Sequence, residues 1–105
     1  MAGELENQQV IMGLIINGGN AKSSAFSAIQ AAKKGDFLEA NAKLKEADDF
    51  LSEAHNAQTA MLTQEAQGNH TNVTLLMVHA QDHMMNAITF RDLAGELVDL
   101  YRSHQ

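Results

Sequence analysis

Apolar residues recur along this chain at helical spacing in three long stretches, and nowhere do they alternate in the two-residue rhythm of a strand. In the first stretch, from about Glu4 to Lys34, Val10, Leu14, Ala21, Ala25, Ala28 and Ala32 follow one another at three-, four- and seven-residue intervals, with Ile11, Ile15 and Ile29 beside them. The second runs from Asp36 to about Gln67, with Phe37, Ala40, Leu44, Ala47, Leu51, Ala54, Ala57 (or Gln58) and Met61 as its inward stripe. The third, from about Thr71 to Arg102, carries Val73, Met77, Ala80, Met84, Ala87, Ala94 and Val98 on one side. Each segment has around 30 residues, or roughly 45 Å of helix. The pattern predicts an all-α chain, a single domain over 1–105 with helices about 4–34, 36–67 and 71–102, folded as an antiparallel three-helix bundle.

Two turn signals separate the segments. Lys33-Lys34-Gly35-Asp36 places cations at a helix C-terminus, a glycine where a left-handed residue is wanted, and an N-cap for the next helix. Glu39, three residues after Asp36, completes a capping-box pattern. Gly68-Asn69-His70-Thr71 is the second break. The chain has no proline to stop a helix elsewhere. Asn17-Gly18-Gly19-Asn20 reads as part of a continuous first helix, because the apolar stripe keeps phase across it. Its missing side chains would let another helix approach closely.

The third helix has a further stripe opposite the first: Leu75, Asp82, Asn86, Thr89, Leu93 and Leu100. A helix apolar on two faces is normally buried on both. One three-helix chain cannot bury both, so this stripe predicts a homo-oligomer with third helices packed at its axis.

Composition narrows the function. Cysteine is absent, which excludes disulfides and thiol catalysis. The net charge of −6, from 13 acidic against 7 basic residues, argues against a nucleic-acid partner. No apolar run approaches the roughly 18 residues of a membrane span. The polar, acidic start (Glu4, Glu6, Asn7, Gln8) is unlike a secretory signal, so a cytoplasmic protein without membrane insertion is expected.

Candidate chemistry concentrates in Val78-His79-Ala80-Gln81-Asp82-His83. Residues three and four apart share a helix face, so Asp82 and His83 flank His79. His79 can be read as a nucleophile, a metal ligand or a satisfied structural histidine. Two imidazoles four apart could share an ion, but Ala80 stands where the zinc-protease motif has glutamate. A neutral imidazole is a good acceptor of phosphoryl groups if one ring nitrogen is exposed and donors surround the incoming oxygens, and His83 is a candidate donor. Asp82, in the second stripe, is aimed at the proposed axis. Carboxylates converging there would repel unless a hard cation such as Mg²⁺ sat between them. His70 and His104 are expected to be solvent-exposed and His55 to pack or hydrogen-bond. Gly18-Gly19-Asn20-Ala21-Lys22-Ser23 lacks the register of a phosphate loop and follows no strand.

At these residues the chain resembles the lactose/cellobiose-specific IIA components of the bacterial sugar phosphotransferase system. Met12-Gly13-Leu14-Ile15-Ile16-Asn17, continuing through Gly19 and Ala21-Lys22-Ser23, is similar to the family's first-helix signature. Gly35-Asp36-Phe37, and Glu53-Ala54-His55 with Gln58-Thr59, resemble its central markers, and Val78-His79-Ala80-Gln81-Asp82-His83-Met84-Met85 its active-site motif. Many members have Arg in place of Lys22 and Leu in place of Met84. The resemblance implies a phosphotransferase component built as a homotrimer of three-helix bundles. His79 would be phosphorylated on Nε2 by the phosphohistidine of HPr and would pass the group to a cysteine of the IIB component during uptake of a β-linked disaccharide (cellobiose, chitobiose or lactose). The Gly-Leu-Ile-Ile-Asn stretch leans toward cellobiose or chitobiose. Asp82 would supply one of three carboxylates to an axial Mg²⁺, one ion per trimer. Gln81 and His83 fall in the same motif, and our own reading, separate from the resemblance, makes them candidates to support the phosphoryl group. Two other readings stand beside this one: a non-catalytic helical adaptor using the acidic second helix, and a metal-dependent enzyme using His79 and His83.

Overall fold

The computed structural model describes residues 2–105, with side chains from Asn7 onward. Three helices follow one another: α1 (Ala2–Lys33), α2 (Phe37–Ala66) and α3 (Leu75–Ser103). They form a three-helix bundle measuring 55 × 21 × 20 Å. None of the described helices is long and apolar enough to cross a membrane.

Both helix breaks form where the glycines stand. Gly35 and Gly68 have φ of 81° and 90°, the left-handed region that costs glycine nothing. Around Gly35 the amide of Asp36 donates to Ala31 O (2.9 Å) and that of Gly35 to Ala32 O (3.0 Å). Asn69 to Gln64 O (2.9 Å) and Gly68 to Glu65 O (3.0 Å) repeat the arrangement. Each pair satisfies carbonyls that a helix end would otherwise orphan. The Asp36 side chain then accepts from the Glu39 amide at 3.1 Å and caps α2.

The third helix starts later than the expected Thr71. Residues 69–74 are non-helical, and the Thr74 hydroxyl caps α3 by accepting from the Met77 amide at 3.1 Å. Val73, expected in the inward stripe, therefore lies outside the helix and is 81% exposed. The other two helices end within two residues of expectation, and α1 runs unbroken through Asn17–Asn20.

The core is built mostly of alanine. Ala40, Ala47 and Ala54 of α2 and Ala80, Ala87 and Ala94 of α3 recur every seventh residue and are fully buried, against Leu14, Ala21, Ala25 and Ala28 of α1. Seven-residue spacing keeps each seam on the side of its helix that faces its partners, and small side chains let the axes come close. Three clusters stack along the bundle. Ile11, Leu14, Ala54, Met77, Ala80 and Met84 form the one beside the chemistry-bearing motif.

Helix α1 is the spine, in long contact with both others, whereas α2 and α3 meet along much less of their length. Midway along they are joined by Arg91, whose Nε and Nη2 donate to Asp48 Oδ1 (2.6 Å) and Oδ2 (3.0 Å), and nearer the start of α2 Arg102 Nη2 donates to Asn41 Oδ1 (3.0 Å). The hydrogen bonding to Asp48 holds the Arg91 guanidinium above its ordinary pKa. Where α2 ends and α3 begins, the two helices leave a groove of ≈ 550 Å³, lined by Met61, Leu62, Met77, Val78, Met85 and Asp82 among others.

Candidate functional site

Burial of Met77, Ala80 and Met84 fixes the rotation of α3 and thereby the direction of everything else in the motif. At 3.6 residues per turn, Asp82 stands nearly opposite that buried seam. His83 falls on the flank next to α1, and Gln81 on the flank next to α2. His79 lies between His83 and Asp82, on the outer side. The accessibilities agree: His79 and Asp82 are exposed, His83 and Gln81 half-buried.

The two imidazoles form a pair. Their ring centroids are 5.9 Å apart with planes inclined by 26°, a stacked arrangement. His83 occupies the inner position over Gly18 and Gly19 of α1, and His79 is stacked outside it. One ring is thus held by the fold and the other is offered to solvent against it. Among the described residues, no third His, Cys, Asp or Glu joins them to make a group that could hold a metal ion. Asp82 is not bonded to His79; it lines the groove on the far side with Val78 and Met85. The motif therefore divides into two surfaces on one helix.

Gln81 faces α2. Its Oε1 accepts from Gln58 Nε2 at 2.6 Å, and its own amide reaches Met77 Sδ at 3.8 Å. Residues two apart do not share a face, which is why Gln81 points away from the imidazole pair. Gln58 is the partner that a reading of the third helix alone does not supply. The signal was a polar residue at an inward position of each of two facing helices. Of the remaining histidines, His70 and His104 are exposed as expected, with His70 Nδ1 2.9 Å from Glu65 Oε2. His55, expected to pack or hydrogen-bond, is exposed on the outer side of α2.

The surroundings of the pair are partly apolar. Leu76, one turn before His79, is 46% exposed, and on α1 Met12 and Ile16 are 47% and 55% exposed. On the same side Lys22 Nζ lies 5.7 Å from the centre of the Phe90 ring. An accessible imidazole, braced by a second one on a shallow and partly apolar face, suits group transfer between proteins. It does not suit enclosure of a small substrate.

The fold and this motif together define a class: residues 9–102 match the model of the "PTS system, Lactose/Cellobiose specific IIA subunit" family, and the chain belongs to it. The chain is 60% identical over 89 residues to the cellobiose-specific EIIA component of Lactococcus lactis subsp. lactis, covering 85% of this chain and 77% of that one. The cellobiose-specific enzyme IIA from Bacillus anthracis superposes with a TM-score of 0.88 at 45% identity, covering 90% of this chain and 87% of that one. The IIA(Chitobiose) chain from a solution structure of its complex with HPr, from Escherichia coli, gives a TM-score of 0.79 at 41% identity, covering 91% and 93%. This protein is accordingly a IIA component of a sugar phosphotransferase system.

Proposed function

We propose that the protein is a phosphocarrier that accepts a phosphoryl group from phospho-HPr on His79 Nε2 and hands it to a cysteine of a cognate IIB component. The observation that carries this reading is the exposed His79 ring stacked on the half-buried His83. The solved complex of the E. coli chitobiose IIA with HPr supports HPr as the partner.

The lone pair of His79 Nε2 attacks phosphorus in line with the P–N bond of the donor phosphohistidine. That bond breaks and its electron pair returns to the donor imidazole. The phosphoramidate on His79 then undergoes the same displacement by the IIB thiolate: a P–S bond forms, the P–Nε2 bond breaks, and His79 is regenerated. Charge in each transition state spreads over the equatorial phosphoryl oxygens, so alignment and nearby donors dominate the catalysis. His83 is the neighbouring ring able to donate an N–H to those oxygens, while Gln81, bonded to Gln58, braces the motif against α2. Exposed Met12, Ile16 and Leu76 give both partners an apolar surface to dock on. The cargo system is one for a β-linked disaccharide of the cellobiose or chitobiose kind, in keeping with the relatives.

We propose further that the working unit is a homotrimer in which the uncovered α3 face, with Leu75 86%, Leu93 58% and Leu100 53% exposed, packs around an axis. Asp82 is the residue that would hold an axial Mg²⁺. One carboxylate per chain is too little for such an ion, and three, completed by water, make the hard oxygen set it prefers. The ion would neutralise converging negative charge and so serve assembly.

The test is to mix the protein with phosphoenolpyruvate, the general first enzyme of the system and HPr. Acid-labile, base-stable label on the wild type and none on His79→Ala is the expected result. Label retained by His79→Ala would refute the assignment, and no label on the wild type would favour an adaptor.

A further inference from the structure

Three glycines stand within the unbroken α1, at positions 13, 18 and 19, where alanine would make a better helix. Their surroundings differ. A Cβ built on Gly13 meets nothing within 4 Å. One on Gly18 would stand 3.2 Å from His83 Cδ2 and 3.5 Å from both His83 O and Met84 Cα. One on Gly19 would stand 3.3 Å from His83 Nε2 and touch nothing else across the interface. The packing of α1 on α3 therefore makes no demand for glycine at position 19. Only the imidazole of His83 does.

We infer that Gly19 is a positioning residue for phosphoryl transfer: the bare surface at Gly18 and Gly19 seats the His83 ring, and the seated ring sets the orientation of His79. This rests on the reading of His79 as phosphoryl acceptor. The stack transmits the effect. His83 lies between the α1 backbone and His79, so a methyl group on Gly19 displaces the inner ring by a few tenths of an ångström, and the outer ring must follow or lose its support. In-line transfer depends steeply on such placement. The helix gives up stability at a glycine so that the ring can lie against it.

The inference separates stability from rate. Gly19→Ala should melt at the wild-type temperature or above it, because a helix-breaking residue has been removed. It should accept phosphate from phospho-HPr on the order of tenfold more slowly at saturating donor, with KM for the donor unchanged. The ring ¹H–¹⁵N signals of His79 and His83 should shift in Gly19→Ala and stay in place in Gly13→Ala, whose new methyl group has open space. His83→Ala removes the group through which Gly19 acts, so Gly19→Ala/His83→Ala should be no slower than His83→Ala alone. If Gly19→Ala accepts phosphate at the wild-type rate, the inference is overturned while the phosphocarrier reading stands. It is likewise overturned if the slowing, or a loss of melting temperature, is the same with and without His83. A wild type that takes no phosphate at all overturns both.

Discussion

At the scale of single residues, the motif on α3 distributes its roles by angle around the helix. His79 and His83 share a flank, Asp82 faces away from the core, and Gln81 turns inward toward Gln58. The Gln58–Gln81 bond, at 2.6 Å, is a side-chain link between α2 and α3 beside the groove, and removing one partner strands the other in a half-buried place. Gln81→Ala should therefore cost about 1 kcal/mol, read from the denaturation midpoint. It should slow phosphoryl acceptance far less than His79→Ala does. A loss as complete as that of His79→Ala would put Gln81 on the phosphoryl group itself. The pairing of His79 with His83 was legible in the sequence, because four-residue spacing within a helix is a local matter. The bed under His83 was legible only as a stretch of missing side chains. Which ring would lie on it depends on the register between α1 and α3, which no local pattern specifies.

At the scale of elements, glycines in left-handed conformation and polar caps decide where helices stop and start. The α1–α2 break was legible because Lys34, Gly35 and Asp36 each favour the same boundary. The start of α3 was not. Thr71 and Thr74 are both capable caps, neither is followed three residues later by an acid, and Val73 extends the apolar rhythm upstream. The structure resolves the tie in favour of Thr74, whose hydroxyl accepts from Met77 N at 3.1 Å. Thr74→Ala should accordingly destabilise the fold by about 1 kcal/mol, and Thr71→Ala should not. Amide exchange in the first turn of α3 reads the difference, faster exchange in Thr74→Ala alone being the expected result.

For the whole molecule, the alanine-rich seams bring three helices together around α1 but leave one side of α3 without a partner. The face carrying Leu75, Asp82, Leu93 and Leu100 and the groove between α2 and α3 are continuous through Asp82. Packing of three copies about that face would cover it and bring three carboxylates together. Sedimentation at micromolar concentration should give a trimer, a monomer being the contrary result. Asp82→Leu should keep the trimer or tighten it and make it indifferent to chelators, because apolar contact replaces converging charge. Dissociation of that variant would mean that the ion-centred arrangement holds the assembly together.

The central claim is that the exposed imidazole of His79 carries the phosphoryl group. Its most direct test is ¹⁵N–³¹P coupling in the histidine-labelled protein after the HPr relay has run to completion. Coupling of phosphorus to Nε2 of His79 alone is the predicted result. Coupling to His83, to Nδ1, or to no histidine would contradict it.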